Sequence, residues 1–242
     1  MLIGLEVRNF FEAQPSIRAH GLLSVFEQMV AAHPGWRFTL LYRTNHWRTG
    51  WQGFAQRLRA LLERPTVRSV AVPLDADPAD SWLHVRLPMA ARELGLNALF
   101  APDSVPAWSP VPVVGEISRE RWLAARAAPP GSVAGVALRL WTKALARGTS
   151  FLVEDEDIAE WIWSQPNASP GQVEITPHWF EATHAEGRIR EACMPLIARA
   201  AETLTGVIAR ATTAPRPVVV PAVMKQSAPT GAGESTPELF AF

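Results

Sequence analysis

Apolar runs bounded by polar residues alternate along this chain with stretches whose apolar positions recur every three or four residues. Residues 2–7 form a near-continuous apolar run, the pattern of a strand buried on both faces of a parallel sheet. Residues 17–33 place Leu22, Leu23, Phe26, Met29 and Val30 at helical spacing before Pro34-Gly35 stops them. Residues 38–42 predict a second strand, 54–62 a helix and 67–73 a third strand. Residues 80–94 carry Leu83, Leu87, Ala90, Ala91 and Leu94 on one face; Pro88 must kink that helix or mark a new first turn, and Gly95 ends it. Residues 98–101 and 111–115 are further strands, separated by a proline-rich segment. A helix capped by Ser132 follows, with Val133, Val136, Ala137, Leu140 and Ala144 inward and Gly148 at its end.

Residues 149–181 carry the densest signal: a short strand at Phe151 to Val153, a helix capped by Asp155 with Glu156 and Asp157 in its first turn, and a strand from Val173 to Thr176 closed by Pro177. Two strands joined by such a helix form a right-handed crossover between parallel neighbours. Repeated along the chain, the alternation predicts an α/β fold with a doubly wound, mainly parallel Rossmann-like sheet. Beyond it, residues 185–211 put Ile189, Ala192, Leu196, Ile197, Ala200, Leu204 and Ile208 on one helical face. This helix either packs on the sheet domain or dimerises. From Ala214 onward, five prolines with Ser, Thr and Gly predict a disordered tail holding two apolar spots, residues 218–224 and 239–242. The expected organisation is a domain over 1–181, a helix over 182–213 and a tail over 214–242.

The motif order resembles the N-terminal, acceptor-side domain of GT-B fold glycosyltransferases, the retaining family four in particular. Phe151-Leu152-Val153-Glu154-Asp155 matches that family's V-I-x-V-S-E, and Val173-Glu174-Ile175-Thr176-Pro177-His178-Trp179-Phe180-Glu181 matches the V-x-V-I-P-N-G-V-D that leads out of its first domain. Met1 to Arg8 is similar to the opening strand, with Glu6 and Arg8 at its acidic and arginine positions. Ile17 and Arg18 sit where members have a glycine-rich turn into the first helix. Leu87-Pro88, Phe100-Ala101-Pro102-Asp103 and Pro110 to Val114 follow in family order. Ser118 and Arg119 occupy the place of a histidine-aspartate pair, and His178, Trp179 and Phe180 replace an asparagine-glycine turn. The resemblance implies half of a GT-B fold. Only 61 residues follow Glu181, too few for a donor-binding domain of ordinary size.

Composition narrows the function classes. The 242 residues are 48% hydrophobic and 19% charged, ample for a buried core. Lys plus Arg equals Asp plus Glu at 23 each, so no global field favours nucleic acid. A single cysteine, Cys193, excludes an internal disulfide and any cysteine-rich metal site, and the six histidines show no metal spacing. No Walker loop, G-x-G-x-x-G, G-x-S-x-G or H-E-x-x-H occurs, so no cofactor or metal is expected. Arginine greatly outnumbers lysine, which high-GC codon usage explains at least as well as phosphate binding does, and a bacterial chain is expected. Without an apolar leader or a long apolar run, a cytoplasmic protein is expected, at most peripheral at the inner face of the membrane.

Ligands of open α/β sheets sit beyond the carboxyl ends of the strands. The cleft candidates are therefore Arg8, Arg18, Asp103, Ser104, Glu116, Ser118, Arg119, Glu154 and Asp155. Glu116 or Glu154 suits the holding of a sugar hydroxyl, whereas Asp155 is equally explained as a helix-terminal charge. Ten tryptophans are the compositional oddity. Trp36, Trp82, Trp141 and Trp161 fall near apolar faces; Trp47, Trp51, Trp108, Trp163 and Trp179 fall in loops or at element ends. The loop holding Trp47 and Trp51 suits a sugar phosphate, a membrane interface or a protein neighbour. Trp47, Trp51, His178, Trp179 and Phe180 are the interface candidates. Three function classes remain: a glycosyltransferase-like acceptor half or pseudoenzyme, acting on a glycan or lipid-linked sugar acceptor beside a donor-binding subunit; an interaction module binding a protein or its own copy; and a stand-alone small-molecule enzyme.

Overall fold

The computed structural model describes residues 1–11, 16–43, 52–73, 82–102, 104–129, 131–176 and 194–214. Seven parallel strands form one sheet: β1 (Leu2–Glu6), β2 (Arg37–Arg43), β3 (Val67–Val72), β4 (Ala98–Ala101), β5 (Val113–Ile117), β6 (Ser150–Val153) and β7 (Val173–Ile175), in the order β3-β2-β1-β4-β5-β6-β7. The direction of winding reverses between β1 and β4, where Ile3 pairs with Ala98 and Leu5 with Phe100. This is the Rossmann-like, doubly wound arrangement expected from the alternation.

Each strand divides its apolar side chains between two helical layers, because successive residues point to opposite faces. Leu40, Phe100, Val114 and Leu152 join one core with α1 (Ile17–Ala32), α2 (Gln52–Leu62) and α7 (Met194–Thr213). Their neighbours Leu41, Leu99, Val113 and Phe151 join the other. That second core is covered by α3 (Leu87–Glu93), α4 (Arg119–Ala127), α5 (Val133–Leu145) and α6 (Glu156–Trp163). Ser132 and Asp155 cap their helices as the sequence predicts, each side chain accepting a backbone N–H three residues on, and Ser16 caps α1 in the same way. Gly95 and Gly148, with φ of +65° and +83°, close α3 and the turn after α5 in the left-handed region that favours glycine.

Several boundaries differ from the pattern. The stretch before α3 is a π turn, Trp82–Arg86, and regular helix begins only at Leu87. Pro88 supplies no N–H and its ring displaces the carbonyl four residues back, so the preceding turn widens. Helix α4 is absent from the apolar pattern because it buries only Trp122 and Ala125 among charged neighbours. On α5 the inward face is rotated: Trp141, Ala144 and Leu145 are buried, while Val136, Ala137 and Leu140 are half-buried. On α7, Leu196 is 41% exposed rather than inward.

Helix α7 lies against α1 and reaches β4, β5 and β6. It buries Ile197, Ala200, Leu204, Val207 and Ile208 in the first core. Trp82 and Trp141 are buried, Trp161 packs edge-on to Trp141 with ring centroids 6.1 Å apart, and Trp108 and Trp163 are exposed. No helix among the described residues is long and apolar enough to cross a membrane.

Candidate functional site

The carboxyl edge of the sheet gathers most of the polar residues expected there, and it does so by long-range pairing. Three carboxylates that end strands, Glu6 on β1, Glu116 on β5 and Glu154 just past β6, are only 0%, 1% and 6% exposed. A charge so far from water needs a compensating partner: Glu6 meets Arg8, Glu116 meets Arg18, and Glu154 accepts a backbone N–H.

Arg18 stands in the first turn of α1, where a cation meets the positive end of the helix dipole. Glu116 offsets this: its Oε2 is 3.0 Å from Nη2 of Arg18, and the same Nη2 donates to the Pro102 carbonyl at 3.1 Å. One guanidinium thus ties α1, the end of β4 and β5 together at the switch in winding, with about one fifth of its side chain left open. Ser16, just before it, accepts the Ala19 N–H with its hydroxyl. That donor of the helix N-terminus is occupied by the protein's own cap.

Glu6 makes a tighter local pair. Its Oε1 accepts from Arg8 Nε at 2.7 Å and from the Arg8 backbone N–H at 3.0 Å. The guanidinium then rests over the Trp82 ring, 5.1 Å from its centroid. Glu154 accepts the Arg119 backbone N–H at 2.6 Å, so a β6 carboxylate sits on the N-terminus of α4. Ser118 caps that helix by accepting the Arg121 N–H. The Arg119 side chain turns to Asp155 at 3.2 Å, while the other oxygen of Asp155 caps α6 through Ile158. Asp155 therefore does the structural work that its position before an acidic first turn implied.

No family model matches the chain, and no curated protein matches it. Among solved structures it is similar to the crystal structure of LpCGTa in complex with UDP, at 14% sequence identity and a TM-score of 0.45, over 74% of this chain and 54% of that one. The chain thus spans about half the length of that structure.

Of the nine cleft candidates, Arg18 and Glu116 form one cluster and Ser118, Arg119, Glu154 and Asp155 another. Ser104 accepts a hydrogen bond from Arg121 at 3.0 Å, and Arg8 belongs with Glu6 and Trp82. Asp103 lies outside the described residues, as do Trp47, Trp51, His178, Trp179 and Phe180. Glu6, Trp82 and Arg121 were not among the expected cleft residues. For Glu6 the signal was present, since an acidic residue inside an otherwise apolar strand calls for a partner; Arg121 lies on the helix that the apolar pattern does not mark. Among the described residues no group of histidine, cysteine or carboxylate side chains is arranged to hold a metal ion.

Chemically, the edge presents partly open guanidiniums fixed by buried carboxylates. Such groups are pre-oriented hydrogen-bond donors for hydroxyl or anionic oxygen atoms. The carboxylates behind them are committed to ion pairs and to helix N–H groups.

Proposed function

We propose that this chain is an acceptor-side, glycosyltransferase-like domain of bacterial surface-polysaccharide or glycan assembly, working with a separate donor-binding subunit or as a noncatalytic helper. The supporting observation is the commitment of Glu6, Glu116 and Glu154 to arginine or backbone N–H partners. General acid or base work requires a carboxyl group in reach of a reacting oxygen with its proton negotiable, whereas these groups serve to hold Arg8, Arg18 and the start of α4. The fixed guanidiniums suit recognition of acceptor hydroxyls or of a lipid-linked sugar phosphate. The family-like order of motifs from Met1 to Glu181 supports this reading.

The exit turn offers a test that is independent of any substrate. Where the resembled family has an asparagine-glycine pair, this chain has His178, Trp179 and Phe180, and bulky apolar groups at a domain boundary favour a partner surface. Trp179→Ala combined with Phe180→Ser is expected to lower the mass seen by light scattering, or to remove a partner from pull-downs made with native extract. Unchanged mass together with an unchanged set of partners would remove the support for a split or helper protein.

A further inference from the structure

On the opposite edge of the sheet, at the amino ends of β5, β6 and β7, the chain forms a half-open pocket of about 590 Å³. That is the size of a small-molecule site, and it shares no residue with the carboxyl-edge cluster. Its walls are largely apolar: Val113, Leu145 and Ala211 line it, and Trp108, 40% exposed, stands at its side. An indole left open to water at the side of this pocket has no role in the core.

The polar lining is one-sided. Two arginines, Arg147 and Arg210, contribute to the walls, and no aspartate or glutamate does. Arg210 is held by Glu174 at 2.6 Å. Arg147 has no carboxylate partner among the described residues; its Nη1 donates to the Ala107 carbonyl at 2.8 Å, a contact that fixes the group without neutralising it. A cation just past the end of α5 also complements the helix dipole, but that role asks nothing of Ala107 or Trp108 on the facing segment.

Two hydroxyls add polar groups to the wall. Thr149 and Ser150 line the pocket, and among the described residues neither side chain hydrogen-bonds within the protein, so both can donate to an occupant. Around them the frame is rigid, because the Gln172 amide donates to the carbonyls of Leu145 and Thr149 at 3.0 and 3.1 Å.

We infer that this cavity is a binding site for a small amphipathic anion, an aromatic or acyl body carrying a carboxylate, sulfonate or phosphate. The body lies against Trp108 and the apolar wall, the anionic group meets Arg147, and the two hydroxyls donate to its oxygen atoms. The site is separate from the proposed glycan surface and stands or falls independently of it.

The test uses the full chain and two fluorescent probes of similar shape, anilinonaphthalene sulfonate and its uncharged analogue phenylnaphthylamine. The anionic probe is expected to bind one saturable site more tightly than the neutral one. Arg147→Gln is expected to weaken the anionic probe about tenfold or more, the loss of a charge-assisted hydrogen bond, while leaving the neutral probe unchanged. Trp108→Ala is expected to weaken both. Because both side chains are exposed, the melting temperature should stay constant and exclude unfolding as the cause. Equal affinity for the two probes, or an unchanged affinity in Arg147→Gln, would overturn the inference. So would binding that appears only after residues beyond Ala214 are clipped off, since the chain itself would then be the occupant.

Discussion

Glu116→Leu is expected to destabilise the fold by about 3–5 kcal/mol, among the largest effects of any single substitution outside the apolar core. Glu116 is fully buried on a central strand, and its carboxylate holds Arg18 in the first turn of α1. Removing the carboxylate leaves a guanidinium against the positive end of that helix, with only a fifth of its side chain able to reach water. Removing both charges is a different matter, since well-packed apolar replacements of a buried pair are often close to neutral. The double variant Arg18→Leu with Glu116→Leu should therefore recover more than half of the loss. Urea unfolding followed by tryptophan fluorescence measures both. A single variant that costs less than about 1 kcal/mol would show that the pair contributes little to holding α1 on the sheet.

The second large effect lies on α7. Ile208 is fully buried and packs in the core that α7 shares with α1 and the sheet. Ile208→Asp puts a carboxylate without a partner into that core, a change that costs at least several kcal/mol or forces the helix to undock. The expected result is early melting and rapid proteolysis near residues 194–214, while Glu202→Ala on the exposed face of the same helix leaves both unchanged. Wild-type stability in Ile208→Asp would mean that α7 is dispensable to the sheet domain.

How much of this was legible in the sequence depends on the range of the interaction that decides it. Strands β1, β2, β4 and β6 announce themselves because parallel strands covered on both faces are apolar along most of their length, as in Leu2 to Leu5 of β1. Caps were equally legible, since Ser132 and Asp155 act within three residues of themselves. Helix α4 was not, because a helix that buries only Trp122 and Ala125 leaves too few apolar positions to set a period. The π turn at Trp82–Arg86 was half legible: Pro88 marked a break, but its form depends on how the fully buried Trp82 seats its indole N–H on the Val72 carbonyl.

The site divides the same way. That Arg18, Glu116 and Glu154 belong to one edge follows from strand order alone. Which arginine meets which carboxylate does not, because Arg18 and Glu116 are joined only by the fold and no periodicity encodes the pair. Asp155 illustrates the converse. Its position favoured a cap and a cleft residue equally, and in the structure it accepts from Ile158 and meets Arg119 at once.

The central claim is that this chain presents an acceptor-side surface and does not by itself take up a sugar donor. Isothermal titration of the purified full chain with UDP- and GDP-linked sugars tests it most directly, run alongside an assay for release of the nucleotide. The account predicts no binding heat at micromolar ligand and no turnover; micromolar binding of any nucleotide sugar, with or without turnover, would contradict it.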